Sequence, residues 1–166
     1  MEEAKRLVDL IPRLRRYARA LVGDRSTADD LVQDTLERAW AKLHLYRRGT
    51  DLRAWLFTVM HNVHVNRVRA TRLTDTLEDE MPELAQRPAQ GDALLVRDLD
   101  RAITRLPDEQ RAVLLLVTLE EMSYEQVART LGIPIGTVMS RLSRAREKLR
   151  AMMLGQPVIA KLKVVK

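Results

Sequence analysis

Apolar residues recur every three or four positions along most of this 166-residue chain, and the pattern lapses most clearly between residues 72 and 91. Leu7, Leu10, Ile11, Leu14, Ala18 and Leu21 share one helical face, with Pro12 either kinking that helix or marking its start. Gly23-Asp24 ends it. Ser26 is read as the cap of a second helix, with Asp29 and Asp30 in its first turn, where carboxylates suit the helix dipole. That helix turns Leu31, Val32, Thr35, Ala39 and Leu43 inward. Asp51 caps a third, LRAWLFTVMHNVHVNRVRAT, which packs Leu52, Trp55, Leu56, Val59 and Val63. After the lapse, Asp92 opens a fourth helix with Leu95, Leu99, Ile103 and Leu106 inward. Leu106-Pro107-Asp108 breaks it, and a strongly apolar fifth helix runs from Asp108 to Leu119 around Val113, Leu114, Leu116 and Val117.

Ser123 to Arg150 then reads as two helices joined by a tight turn. Ser123 with Gln126 three residues on has the form of a capping box, so a helix begins at Tyr124. It buries Val127, Ala128 and Leu131 and stops at Gly132, which suits a left-handed C-terminal position. Pro134 cannot continue that helix but suits the start of another. From Ile135 onward Val138, Leu142, Ala145 and Leu149 form one buried stripe. The opposite side carries Thr137, Ser140, Ser143 and Arg144, with Arg141 and Lys148 on one flank and Arg146 and Arg150 on the other. Residues 135–150 hold five basic side chains against Glu147 alone. Cap, small residue, glycine turn and basic second helix together are the physical signature of a DNA-binding helix-turn-helix, against an ordinary helical hairpin with a solvated basic face.

Composition narrows the class. Few glycines and prolines and little β-branched alternation make the fold all-α. Two small helical domains are expected, residues 1–71 and 92–154, joined by a flexible acidic linker at 72–91 and followed by a short basic tail at 155–166. The net charge of +6 divides as +5 over residues 1–70 (14 basic, 9 acidic), −4 over 71–95 (2 and 6) and +5 over 96–166 (13 and 8). Two basic blocks flanking an acidic connector point to two polyanion-binding modules, with the connector able to lie against either. The absence of cysteine excludes disulfides and thiolate metal sites. No apolar run is long enough to cross a bilayer and no signal-peptide pattern opens the chain, so a cytoplasmic location is expected.

Chemistry-bearing positions are few. Asp30, Gln33, Asp34 and Glu37 form an acidic ridge on the second helix, which by composition alone reads as a solvated face. Four of the six aromatics, Trp40, Tyr46, Trp55 and Phe57, lie between residues 40 and 57. Beside Arg, Asn and Thr such residues can hold unstacked bases, and Trp55 and Phe57 read equally as core. Thr58, Asn62 and Arg69 fall together on the third helix, with Asn66 at the edge. His61 and His64 stand three apart but lack a third ligand, so no metal is expected. There is no Gly-rich phosphate loop, paired-acid site or Ser-His-Asp set, and neither an enzyme nor a cofactor is expected.

ADDLVQDTLERAW, LRAWLFTVMHNVHVNRVR and LPDEQRAVLLLVTLEEMSYEQVARTLGIPIGTVMSRLSRAREKL together resemble the extracytoplasmic-function sigma factors of bacteria, over residues 5–152. The resemblance implies that the first module, sigma region 2, binds the β′ clamp coiled coil of core RNA polymerase and recognises and melts the −10 element. It implies that the second module, sigma region 4, reads the −35 element and touches the polymerase β flap. It assigns polymerase contact to Asp30, Gln33, Asp34 and Glu37. The −10 contact falls to the loop from Tyr46 to Asp51, with Arg47 and Arg48, and to Asn62, Asn66 and Arg69. The −35 reading falls to Thr137, Ser140, Arg141 and Arg144, with Lys148 beside them.

Two positions depart from the family pattern. Met139 stands where Lys or Arg is common, so a phosphate contact is expected to be lost. Asn66 stands where Asp is common. RRGTDLRAWLFT is similar to the general-stress subgroup, whose partners are small soluble anti-sigma proteins, and an anti-sigma factor that occludes both modules is the expected regulator. Two rival readings use the same residues: a one-component regulator that binds operator DNA without polymerase, and a sigma mimic that titrates an anti-sigma factor. The basic recognition helix argues against the mimic and the intact first module against the regulator.

Overall fold

The computed structural model describes residues 1–74 and 92–155, and these are helical with short connections. The first module consists of α1 (Glu2–Asp9), α2 (Ile11–Val22), α3 (Arg25–Ala41), a 3₁₀ turn at Leu43–Leu45, and α4 (Leu52–Thr74). The second consists of α5 (Asp92–Arg105), α6 (Asp108–Thr118), α7 (Tyr124–Leu131) and α8 (Ile135–Met153). The expected linker at 72–91 lies outside the described residues except for residues 72–74, which continue α4 as far as Thr74. Of the expected tail only Gly155 is described.

Pro12 marks a start. The chain leaves helical hydrogen bonding at Leu10, and Pro12 occupies the first turn of α2, where its missing N–H costs nothing. Gly23 ends α2 at φ 75°, a conformation that L side chains rarely adopt, so the glycine serves the turn; a methyl group there would make only an ordinary contact with Thr104 of α5 at 3.4 Å. The cap of α3 corrects the sequence reading: Asp24, not Ser26, accepts from the Thr27 amide at 2.9 Å, and also from the Thr27 hydroxyl. A carboxylate accepting both outcompetes a serine two residues on, which falls inside the first turn. Asp51 does accept from the Ala54 amide at the start of α4.

A second correction concerns α5. Leu95 is 60% exposed and Leu99 38%, whereas Ala102 and Leu106 are buried and Ile103 is half-buried. The apolar spacing is helical as expected, but only the C-terminal half of α5 finds a partner among the described residues. In the helix-turn-helix the outcome follows the pattern. The Ser123–Gln126 capping box forms in both directions, Gly132 sits at φ 67°, and Val127, Leu131, Val138, Leu142 and Ala145 are buried, while Ala128 and Leu149, expected to be buried, are half-buried.

The modules are packed together, α2 against α5 and α6, and α4 against α7. Their buried apolar side chains form one contiguous cluster. Polar contacts across the seam converge on the α6 ends. Arg53 donates to the Glu120 carbonyl, Arg16 to the Leu119 carbonyl at 3.3 Å, and Arg111 to the Leu21 carbonyl at 2.7 Å. His64 donates through Nε2 to Asp108 at 2.8 Å. The Glu120 side chain is 1% exposed, with Arg13, Arg16 and Arg53 between 3.7 and 3.9 Å from its carboxylate.

Candidate nucleic-acid interface

Three faces carry the residues singled out by sequence, and the seam covers none of them entirely. On α3 the buried residues Ala28, Leu31, Val32, Thr35 and Ala39 face the core, which leaves Asp30, Gln33 and Glu37 exposed on the far side. Asp34, at the edge of that ridge, is half-buried and ion-paired with Arg67 of α4. Gln33 donates weakly to Glu37 at 3.5 Å. Trp40 extends the ridge by one turn and is 65% exposed, a position the sequence reading left among the base-stacking candidates.

The loop from Tyr46 to Asp51 divides in two. Tyr46 is 8% exposed, packed against Trp55 with ring centroids 5.5 Å apart and planes tilted by 52°, and its hydroxyl donates to the Thr50 carbonyl. Its ring therefore shapes the loop from inside. Arg47 and Arg48 lie on the surface, Arg48 bonded to Glu3 at 2.8 Å, and Asp51 is committed to its cap. Phe57 is core, with its ring edge-on to Tyr17 at 5.1 Å. Asn62, Asn66 and Arg69 are exposed along one side of α4. Another side of α4 carries Arg53 and His64 into the seam. Burial followed by the neighbouring His64 holds His61 below its ordinary imidazole range. Burial works against the Asp108 charge, but the hydrogen bond and charge of His64, with Arg111, outweigh it and keep that carboxyl low. The histidine pair thus belongs to the seam, and no cluster of three or more possible metal ligands occurs among the described residues.

On α8 the assigned readers separate. Ser140 and Arg144 are exposed; Thr137, Arg141 and Lys148 are half-buried on the flank toward α6, where Arg141 pairs with Glu109 at 3.5 Å. The opposite flank presents Met139, Ser143, Arg146 and Arg150. Sequence reasoning missed Arg111 and Glu120, which organise the seam. Their partners lie up to 107 residues away in the chain, so nothing nearby in the sequence marks them.

An all-α chain of two docked modules, with a basic recognition helix on one and an exposed Asn/Arg face on the other, defines a helix-turn-helix nucleic-acid-binding protein. Residues 7–61 match the model of the sigma2 domain of PhyR, and residues 97–149 match sigma-70, region 4. The ECF RNA polymerase sigma factor EcfG of Rhodopseudomonas palustris (strain TIE-1) is 38% identical over 145 residues, covering 86% of this chain and 80% of that protein. The sigma factor RpoE of Bartonella quintana, solved in complex with the anti-sigma factor NepR, superimposes with a TM-score of 0.78 at 36% identity, covering 91% and 96% of the two chains. The chain belongs to the extracytoplasmic-function RNA polymerase sigma factors. The PhyRSL domain of Sphingomonas sp. Fr1, solved with NepR, shares the fold (TM-score 0.67, 22% identity, 100% and 98% covered) and no more than the fold.

Proposed function

We infer that the chain is an alternative sigma factor: it binds core RNA polymerase and directs it to promoters, without catalysing a reaction of its own. The observation that carries this reading is the coexistence, in one family member, of an intact basic recognition helix and an exposed acidic ridge on the opposite module. A sigma mimic needs the shape without the first, and a one-component regulator has no use for the second. Asp30, Gln33 and Glu37, with Asp34 at the edge, meet the β′ clamp coiled coil. Arg47, Arg48, Asn62, Asn66 and Arg69 meet the −10 element, and Tyr46 and Asp51 hold their loop in shape. Ser140 and Arg144 meet the −35 element in the major groove, and the second module also touches the β flap. Arg and Lys on phosphates supply salt-dependent affinity, while base-edge contacts discriminate. The protein acts in the cytoplasm, on the chromosome.

The docked arrangement sets a geometric requirement. Positions −10 and −35 are about 25 base pairs apart, about 85 Å of helix axis at about 3.4 Å per pair. A compact chain of this length has a radius of gyration of about 15 Å, hence a width of about 40 Å. Both elements are engaged only if the modules part at the seam, with polymerase holding each in place so that the second contact is effectively intramolecular. A small anti-sigma factor that covers both modules keeps them from the polymerase, and inhibitor and core enzyme exclude one another. The test is a pull-down with core polymerase followed by run-off transcription. Polymerase-dependent, promoter-specific transcripts are expected. Promoter binding without polymerase would favour the regulator, and anti-sigma binding with neither polymerase nor DNA binding would favour the mimic.

A further inference from the structure

The first turns of a recognition helix are the part that reaches base edges, and on α8 those turns present an apolar side chain. Met139 lies on the second turn and is 48% exposed. It heads a stripe at helical spacing, Met139, Ser143, Arg146 and Arg150, which with Leu142, Glu147 and Tyr124 at the start of α7 lines an open groove of about 420 Å³, two arginines against one carboxylate. This flank is free, whereas the flank toward α6 has Arg141 drawn to Glu109, its side chain 25% exposed. Between the flanks, Ser140 spends its hydroxyl proton on the Thr137 carbonyl at 3.1 Å. A thioether can neither neutralise a phosphate nor donate to a base edge. What the major groove offers to an apolar side chain is the C5-methyl group of thymine, and an unbranched, polarisable methionine adapts to such a contact.

We propose that Met139 is a specificity-determining residue of −35 reading and packs against a thymine methyl, with Arg146 and Arg150 on the neighbouring backbone. The proposal rests on the promoter-reading function above. It reverses the expectation that this position only forfeits a phosphate contact, since the position exchanges uniform affinity for discrimination.

The test uses the full chain with core polymerase. Selection from a randomised −35 element supplies the preferred sequence, and each thymine on either strand is then replaced by deoxyuridine, which lacks only the methyl. At one position the wild-type holoenzyme is expected to bind about three- to five-fold more weakly, the value of one buried methyl group. Met139→Ala should erase that sensitivity and Met139→Leu should keep it, both with unchanged thermal stability because the side chain is exposed. Absence of any deoxyuridine-sensitive position, or the same sensitivity in Met139→Ala, overturns the proposal while promoter selection by the holoenzyme still supports the sigma function. Failure of the holoenzyme to select any −35 sequence would overturn both.

Discussion

The interiors of the two modules and the seam between them are finished to different standards. Inside the modules most buried side chains are apolar or locally satisfied: the Thr35 hydroxyl donates to the Leu31 carbonyl at 2.7 Å, Phe57 and Leu142 sit in continuous apolar surroundings, and the exception is Gln110 of α6, whose buried Oε1 has no hydrogen-bond partner. At the seam, apolar contact continues but a carboxylate is buried within it. Both oxygens of Glu120 lack a hydrogen bond, and its three arginine partners stand off at 3.7 to 3.9 Å. A buried ion pair with such geometry recovers little of its desolvation cost. Burial pushes the Glu120 carboxyl above its ordinary range, and Arg13, Arg53 and Arg16 pull it only partly back. The contrast teaches where charge is tolerated: the interiors are closed on apolar contacts, whereas the seam encloses a poorly compensated carboxylate, the mixed character of interfaces between domains.

The largest effect should come from attacking an interior. Phe57→Ala removes a fully buried ring and should cost about 3–5 kcal/mol, lowering the melting temperature of the whole chain by about 10 °C or more. Calorimetry checks this, and a loss under 1 kcal/mol would mean that the interior is not close-packed. Next is Arg111→Ala. That side chain donates to the carbonyls of Ile103, Thr104 and Leu106 in its own module and of Leu21 across the seam. Its loss should cost about 2–3 kcal/mol, concentrated at the α5–α6 corner and the seam, where amide exchange should quicken.

The acidic ridge tests a free surface against both. Asp30→Lys with Glu37→Lys should leave thermal unfolding within about 0.5 kcal/mol of wild type, because both are exposed. Affinity for core polymerase should fall about ten-fold or more. Asp34→Lys also breaks the Arg67 pair, so a small stability loss, under about 1 kcal/mol, should accompany its polymerase defect.

The effect of the buried seam carboxylate should be modest, and its sign is diagnostic. The folded state holds Glu120 above its unfolded range, so the docked chain binds the proton more readily and loses stability as pH rises above the ordinary carboxylate range. Glu120→Gln removes that penalty. It should raise the melting temperature at pH 7 by about 2–4 °C, for about 1 kcal/mol, and the gain should shrink as pH falls toward 4.5. A lower melting temperature at pH 7 would show instead that Arg13, Arg16 and Arg53 depend on the charge.

How much of this could be read from the chain follows the same divide. The helix-turn-helix was legible almost to the residue because its signals are local: a capping box, a glycine at positive φ and a four-residue stripe. Asp30, Gln33 and Glu37 of the acidic ridge and the Asn62, Asn66, Arg69 face follow from helical spacing and are exposed, whereas Asp34, expected to be exposed, is half-buried against Arg67 of α4. Reading failed where the decisive partner is distant. Leu95 and Leu99 have the spacing of core residues, yet which helix faces find partners is decided by how the modules dock. Arg111 and Glu120 look like ordinary surface charges until α2 and α4 are laid against them. Tyr46 looked like a base-stacking residue, but local packing on Trp55 and its bond to Thr50 turned it inward.

For both promoter elements to be engaged at once, the docked modules must come apart on the promoter. Because the chain has no cysteine, Lys42→Cys and Arg129→Cys, both at exposed positions in different modules, give a unique dye pair for energy transfer. The free protein should show one high-transfer state, consistent with docked modules. In a transcriptionally active complex with core polymerase and promoter the transfer should collapse, as the separation of modules bound about 85 Å apart requires. High transfer retained in a complex that makes run-off transcript would contradict the account.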